Sequence, residues 1–163
     1  MLDLLPDLCD EHGDEVEILA PIFKDYGAAQ TFWGQAVTVS CKEDNSKVRE
    51  LLATPGTGKV LVVDGGGSLR RALMGDQLAA LAIENGWAGL IINGAIRDAG
   101  AISDMALGVK ALATCPMKTE KRGVGEIDVP VTFAEVTIKP DDYIYADING
   151  VLVAREPLTH HSF

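Results

Sequence analysis

A chain of 163 residues, 47% hydrophobic and 23% charged, has the length and balance to bury one sizeable core, and it reads as one domain over residues 1–163. A formal charge of −10 opposes any partner held by counterion release, which excludes direct nucleic-acid binding and leaves basic protein surfaces open. The longest apolar runs, Val60-Leu61-Val62-Val63 and Leu90-Ile91-Ile92, fall far short of the roughly 20 residues a bilayer requires, and Asp3 and Asp7 stand where a secretory leader needs a basic start, so no membrane span and a cytoplasmic location are expected.

From Leu8 to Leu19, acids alternate with apolar residues around His12 and Gly13, which predicts short helices rather than a strand. Ala36 to Cys41 is a β-branched alternating run, hence a strand, and Glu43 to Ser46 supplies acids and an N-cap candidate for a helix through Val48 to Leu52. Thr54-Pro55-Gly56-Thr57-Gly58 stops that helix. Lys59 to Val63 is continuously apolar after its lysine, the pattern of a strand buried on both faces, and it meets a sharp turn at Asp64-Gly65-Gly66-Gly67-Ser68.

Leu78, Leu81 and Ala82 recur at helical spacing from Gly75 to Glu84, with Asn85-Gly86 as a left-handed cap, and Trp87 to Asn93 is the next buried strand. Strand, helix, strand implies a right-handed parallel crossover, with functional groups at the strands' carboxyl ends, here Asp64–Gly67 and Gly94–Asp98. Lys121 to Gly125 reads as a mobile loop. Beyond it Val129-Val131-Phe133, Val136-Ile138 and Tyr143-Tyr145 alternate at period two between turn signals at Pro140 and Asn149-Gly150, which predicts antiparallel sheet. Glu156 to Phe163 reads as a tail with little core-forming character. The fold class is α/β.

Several familiar patterns do not hold up. Gly56-Thr57-Gly58-Lys59 resembles the end of a phosphate-binding loop, but Val60 follows the lysine and the segment precedes a strand. In Asp64-Gly65-Gly66-Gly67-Ser68-Leu69-Arg70, an arginine occupies the position of the third dinucleotide-binding glycine. Cys9, Cys41 and Cys115 are odd in number and widely spaced, so they read as buried reduced thiols. His160-His161 reads as a solvent-facing pair, and His12 has no obvious partner. No G-x-S-x-G nucleophile elbow occurs.

What remains is Gly75-Asp76-Gln77-Leu78 at a helix start and Arg97-Asp98 after the next strand, with twenty residues between Asp76 and Arg97. A helix N-terminus can hold a substrate carboxylate through backbone N–H groups, Asp98 can bind a hard cation, and Arg97 offers a planar fork to an oxyanion. Together these favour a 2-oxo acid. Spacing alone also allows a plainer account, in which Asp76 complements the helix dipole and Arg97-Asp98 is a solvated pair.

Gly65 to Leu73, Gly75-Asp76-Gln77-Leu78-Ala79, Asn93-Gly94-Ala95-Ile96-Arg97-Asp98 and Tyr145-Ala146-Asp147-Ile148-Asn149-Gly150-Val151 resemble the RraA (regulator of ribonuclease activity A) family and its relatives, the class II 4-hydroxy-4-methyl-2-oxoglutarate aldolases, over nearly the whole chain. The resemblance implies a swivelling β/β/α domain with a central parallel crossover and antiparallel C-terminal strands, and homotrimers with sites between subunits. It also implies a Mg²⁺ or Mn²⁺ ion on Asp98, substrate binding by Gly75, Asp76, Gln77, Leu78 and Arg97, and catalysis by Arg97 and Asp76. Aldol cleavage and oxaloacetate decarboxylation would share one pyruvate enolate. The better-known aldolases are longer at the C-terminus, where a carboxylate completes the neighbouring site, so slower turnover is expected here. Short members of the family include protein inhibitors of ribonuclease E. That branch can lack the acid after the arginine, whereas Asp98 is present.

Overall fold

The computed structural model describes residues 3–163. In chain order the elements are α1 (Leu4–His12), a 3-10 turn (Gly13–Glu15), β1 (Val16–Ile18), β2 (Lys24–Asp25), β3 (Phe32–Ser40), α2 (Ser46–Leu52), β4 (Lys59–Asp64) and α3 (Asp76–Glu84). They continue with β5 (Gly89–Ile96), α4 (Ala99–Ile102), β6 (Gly108–Thr114), β7 (Glu126–Ile127), β8 (Val131–Phe133), β9 (Val136–Ile138), β10 (Tyr143–Asp147) and β11 (Gly150–Ala154).

The apolar runs form the middle of one mixed sheet. β3, β4, β5 and β6 pair in parallel in that order, while β10, β11 and β1 extend it antiparallel from the free side of β3, and β2 closes the far edge on β6. β5 is buried along its whole length, as a central parallel strand must be. Period-two alternation then splits the core. Leu61 and Val63 of β4 face α2 and α3 with Val48, Leu52, Leu78 and Ala82, whereas Val60 and Val62 pack with Val131, Phe133, Val136 and Ile138 of the β8–β9 hairpin. Hairpin, sheet and helices are therefore three layers. Phe32 lies across Gly89 and Gly108, where any Cβ would collide with its ring.

Expectation and structure part at several places. Residues 16–18 are not helical, because their main chain pairs with β11; the N-terminal helix lies earlier, from Leu4, and packs Leu4, Leu5 and Leu8 on Tyr145, Leu152 and Ala154. β5 runs through Gly94 to Ile96, beyond the predicted Asn93, with a register shift between Ile92 and Ala95. Nothing in the sequence pattern marks β6, since Lys110 interrupts its apolar run. That lysine is buried, ion-paired to Asp25 at 3.0 Å and donating to the Asp147 carbonyl at 2.6 Å.

The tail is docked. Leu158 is buried and its N–H donates to the Tyr145 hydroxyl, while Phe163 stacks on Tyr145 at 5.6 Å between ring centroids. His160 and His161 lie 4.1 Å apart between ring centroids, and the His160 side chain is enclosed beside Asp7 rather than pointing into solvent. His12 does have partners: its Nδ1 faces Glu15 at 2.6 Å and its Nε2 faces the Thr159 carbonyl at 2.8 Å. All three cysteines are free, but only Cys41 is fully buried; burial first, then the charges of Asp44 and Asp64, push its thiol up to about 12. No helix among the described residues is long and apolar enough to cross a membrane.

Candidate functional site

Two segments separated by twenty residues in sequence meet through main-chain pairing. After the glycine turn, residues 72–74 run beside the end of β5: the N–H of Leu73 donates to the Ala95 carbonyl at 2.8 Å, and the N–H of Arg97 donates to the Met74 carbonyl at 2.9 Å. The other side of the segment is tied to the strand leaving β6, where the Ala72 N–H donates to the Met117 carbonyl at 2.7 Å. This ladder delivers Gly75, the N-cap of α3, against Arg97 and Asp98.

Asp98 adopts left-handed backbone angles, φ 57° and ψ 38°, uncommon for a residue with a side chain. In that conformation its Oδ2 accepts the Asp76 N–H at 2.9 Å. The approach requires glycine at 75, since a Cβ there would collide with the same oxygen. One of the helix N–H groups expected to hold a substrate carboxylate is thus taken by Asp98. The N–H groups of Gln77 and Leu78 donate to no acceptor among the described residues, because the Gly75 carbonyl first receives a helical bond from Ala79.

Gly75, Asp76, Gln77, Leu78, Arg97 and Asp98 all line one pocket of about 100 Å³, so every residue singled out in the sequence is brought together. Asp76 and Asp98 are exposed and Arg97 is half-buried, with no carboxylate within ion-pair distance of its guanidinium among the described residues. The other expected location, Asp64 to Gly67, is spent on structure. Asp64 Oδ1 accepts from the Gly66 N–H at 2.9 Å and from Asn93 Nδ2 at 3.0 Å, and the Asn93 carbonyl accepts from Gly65 and Gly67. Gly66 and Gly67 both have positive φ, which this tight turn demands.

The pocket has further lining residues that spacing did not reveal: Asn45, Arg49, Lys118 and Lys121. The only sequence signal was the Lys121–Gly125 loop. It is pinned rather than loose, because the N–H groups of Arg122 and Val124 both donate to the buried Asp44 carboxylate.

No group of three or more His, Cys, Asp or Glu side chains converges as a metal cage among the described residues. A cation at this pocket would take Asp98 Oδ1, which the Asp76 N–H leaves free, and fill its remaining positions with waters and ligand oxygens. That donor set, one carboxylate and otherwise small oxygen ligands, suits Mg²⁺ or Mn²⁺ and would not hold a soft metal.

The RraA-like family described as Aldolase/RraA matches residues 5–153. A Marinomonas sp. (strain MWYL1) protein, provisionally named 4-hydroxy-4-methyl-2-oxoglutarate aldolase, is 56% identical over 97% of this chain and 98% of its own length. A Geobacillus kaustophilus structure described as S-adenosylmethionine:2-dimethylmenaquinone methyltransferase superposes with a TM-score of 0.93 at 48% identity, covering 94% of this chain and 96% of that one. The RNA-processing inhibitor RraA from Thermus thermophilis superposes with the same TM-score at 42% identity, covering 99% and 98%.

Proposed function

Because the chain belongs to the RraA-like family, we propose that it is a divalent-metal-dependent lyase that cleaves 4-hydroxy-4-methyl-2-oxoglutarate to pyruvate, with oxaloacetate decarboxylation through the same pyruvate enolate. The observation that carries this reading is the Asp98 carboxylate held by the Asp76 N–H beside Arg97 and two open helix N–H groups, in a pocket of about 100 Å³. That volume suits a small acid.

Asp98 would hold the ion, which when bound supplies Lewis-acid polarisation of the 2-oxo group. The chain's own groups do the rest. The Gln77 and Leu78 N–H groups and the positive end of α3 bind the substrate's 1-carboxylate. The Asp76 carboxylate, exposed in the pocket, accepts the proton of the 4-hydroxyl through a water. As the C3–C4 bond breaks, C4 becomes the carbonyl of one pyruvate and the bonding pair moves onto C3 and the 2-oxo oxygen. Arg97 faces that developing negative charge, and the proton returned to C3 gives the second pyruvate. In oxaloacetate the same bond breaks with loss of CO₂, leaving the same enolate.

A coupled pyruvate-release assay with 4-hydroxy-4-methyl-2-oxoglutarate or oxaloacetate, with and without Mg²⁺, tests this reading. Release that depends on Mg²⁺ supports it, and no release from either substrate in saturating Mg²⁺ sinks it. A second reading, a non-catalytic protein inhibitor of ribonuclease E, is favoured by the likeness to the Thermus inhibitor and by an acidic surface suited to basic protein segments.

A further inference from the structure

Four polar residues of the pocket play no part in the proposed reaction, namely Asn45, Arg49, Lys118 and Lys121. In a chain of net charge −10, Arg49, Lys118 and Lys121 converge with Arg97 on a single small pocket, and among the described residues none of these four cations has an ion-pair partner. Asp76 and Asp98 line the same pocket, so four cations face two carboxylates, and the surplus of positive charge is left to be met by an anionic ligand.

These side chains are exposed, but the main chain that carries them is tied down. Asp44, Asn45 and Thr119 are buried polar residues that tie the head of α2 to the segment carrying Lys118 and Lys121. Asp44 accepts from the Ser46 N–H and hydroxyl at 2.9 and 2.6 Å and from the N–H groups of Arg122 and Val124 at 2.9 and 3.1 Å. The Gly123 N–H donates to Ser46 Oγ. The Thr119 hydroxyl accepts from the Asn45 N–H at 3.3 Å and donates to Asn45 Oδ1 at 2.8 Å, which leaves Asn45 Nδ2 as the donor available to the pocket. Burial opposes ionisation of Asp44, yet these hydrogen bonds win and hold its carboxyl well below the usual range. Buried polar groups are costly unless fully satisfied, and here the satisfied network holds the chain segments that carry Arg49, Lys118 and Lys121 beside one opening.

We propose that Arg49, Lys118 and Lys121, with Asn45, form the subsite for the second carboxylate of a dicarboxylic 2-oxo acid; this rests on the reading above, in which Asp98, Arg97 and the head of α3 take the 2-oxo acid end. The subsite also sets reaction preference. In aldol cleavage the distal carboxylate stays charged from substrate to product, so its cations stabilise every state along the path. In decarboxylation that carboxylate leaves as neutral CO₂, its bonding pair passing to C3, so the cations lose their partner as the bond breaks and favour the ground state. The cationic wall therefore tilts the site toward aldol cleavage.

Isothermal titration in Mg²⁺ with 2-oxoglutarate and 2-oxobutanoate tests the subsite without turnover. The wild-type protein is expected to prefer the dicarboxylate by at least about tenfold, the scale of one charge-assisted pair. In Arg49→Gln/Lys121→Gln and, separately, in Lys118→Gln, each shown to be folded by circular dichroism, that ratio should collapse toward unity, and the ratio of aldol cleavage to decarboxylation should fall with it. A ratio that stays at the wild-type value in both variants, or a wild-type protein that binds both acids equally, overturns the subsite and leaves the 2-oxo acid site standing. A wild-type protein that binds neither acid overturns both.

Discussion

Asp98 carries two demands on one carboxylate: Oδ2 is held by the Asp76 N–H, and Oδ1 has no hydrogen-bond partner among the described residues. Its backbone is left-handed, where alanine is strained by roughly 1–2 kcal/mol and asparagine is tolerated. Asp98→Asn is therefore the cleaner variant, because it keeps the backbone preference and an acceptor for Asp76 while removing the charge. Both Asp98→Asn and Asp98→Ala are expected to lower Mg²⁺-dependent pyruvate release by on the order of 10²–10³-fold, with the far-ultraviolet circular dichroism spectrum retained. Wild-type turnover by a folded Asp98→Asn protein in saturating Mg²⁺ would show the metal assignment to be wrong. If the chain also inhibits a ribonuclease through its outer surface, the same variant should still inhibit.

At the scale of elements, the C-terminal tail is fastened to the end of α1 by His12. Both ring nitrogens face acceptors, the Thr159 carbonyl on one side and Glu15 on the other, and only the doubly protonated ring donates to both. The Thr159 hydrogen bond first, then Glu15 and the nearby Glu11, raise the imidazolium above its usual range. A raised value in the folded state means that this tether is complete below the ordinary histidine value, about 6.5, and is lost as pH rises through the folded value. The expected result is that His12 titrates above about 6.5 by NMR, and that Trp33 fluorescence changes over the same interval, since Phe163 packs 4.9 Å from Trp33 between ring centroids. The fluorescence step should be absent in His12→Gln; an unaltered step in that variant would detach the tail from His12.

For the whole molecule, the acidic balance and the exposed apolar side chains pull in different directions. Leu69, Met117 and Val124 are each half or more exposed, and each lies within a few residues of chain that lines or supports the pocket. Exposed apolar groups beside an open polar site suit a subunit boundary. A homotrimer is the expected assembly, measured by size-exclusion chromatography with light scattering. A monomer with full turnover would remove any contribution of a neighbouring subunit to the site, and Met117→Glu should weaken the trimer if this border is buried in it.

The sequence by itself determined the central layers, because a parallel strand buried on both faces needs an unbroken apolar run and a crossover helix needs a 3.6-residue stripe; Val60 to Val63, Leu90 to Ile92 and Leu78 to Ala82 carry those signals directly. It also marked Asp76, Arg97 and Asp98, since their chemistry stands out against glycine-rich neighbours. Two strands were illegible for a physical reason: Val16–Ile18 and Gly108–Thr114 owe their conformation to hydrogen bonds with partners elsewhere in the chain, and the buried Lys110 is intelligible only beside Asp25 and the Asp147 carbonyl. Tertiary structure alone decided that Asp64 would be consumed in a turn while Asp98 kept a free oxygen. It alone brought Arg49, Lys118 and Lys121 to one opening, because the groups that place them, Asp44, Asn45 and Thr119, act through hydrogen bonds spanning more than seventy residues.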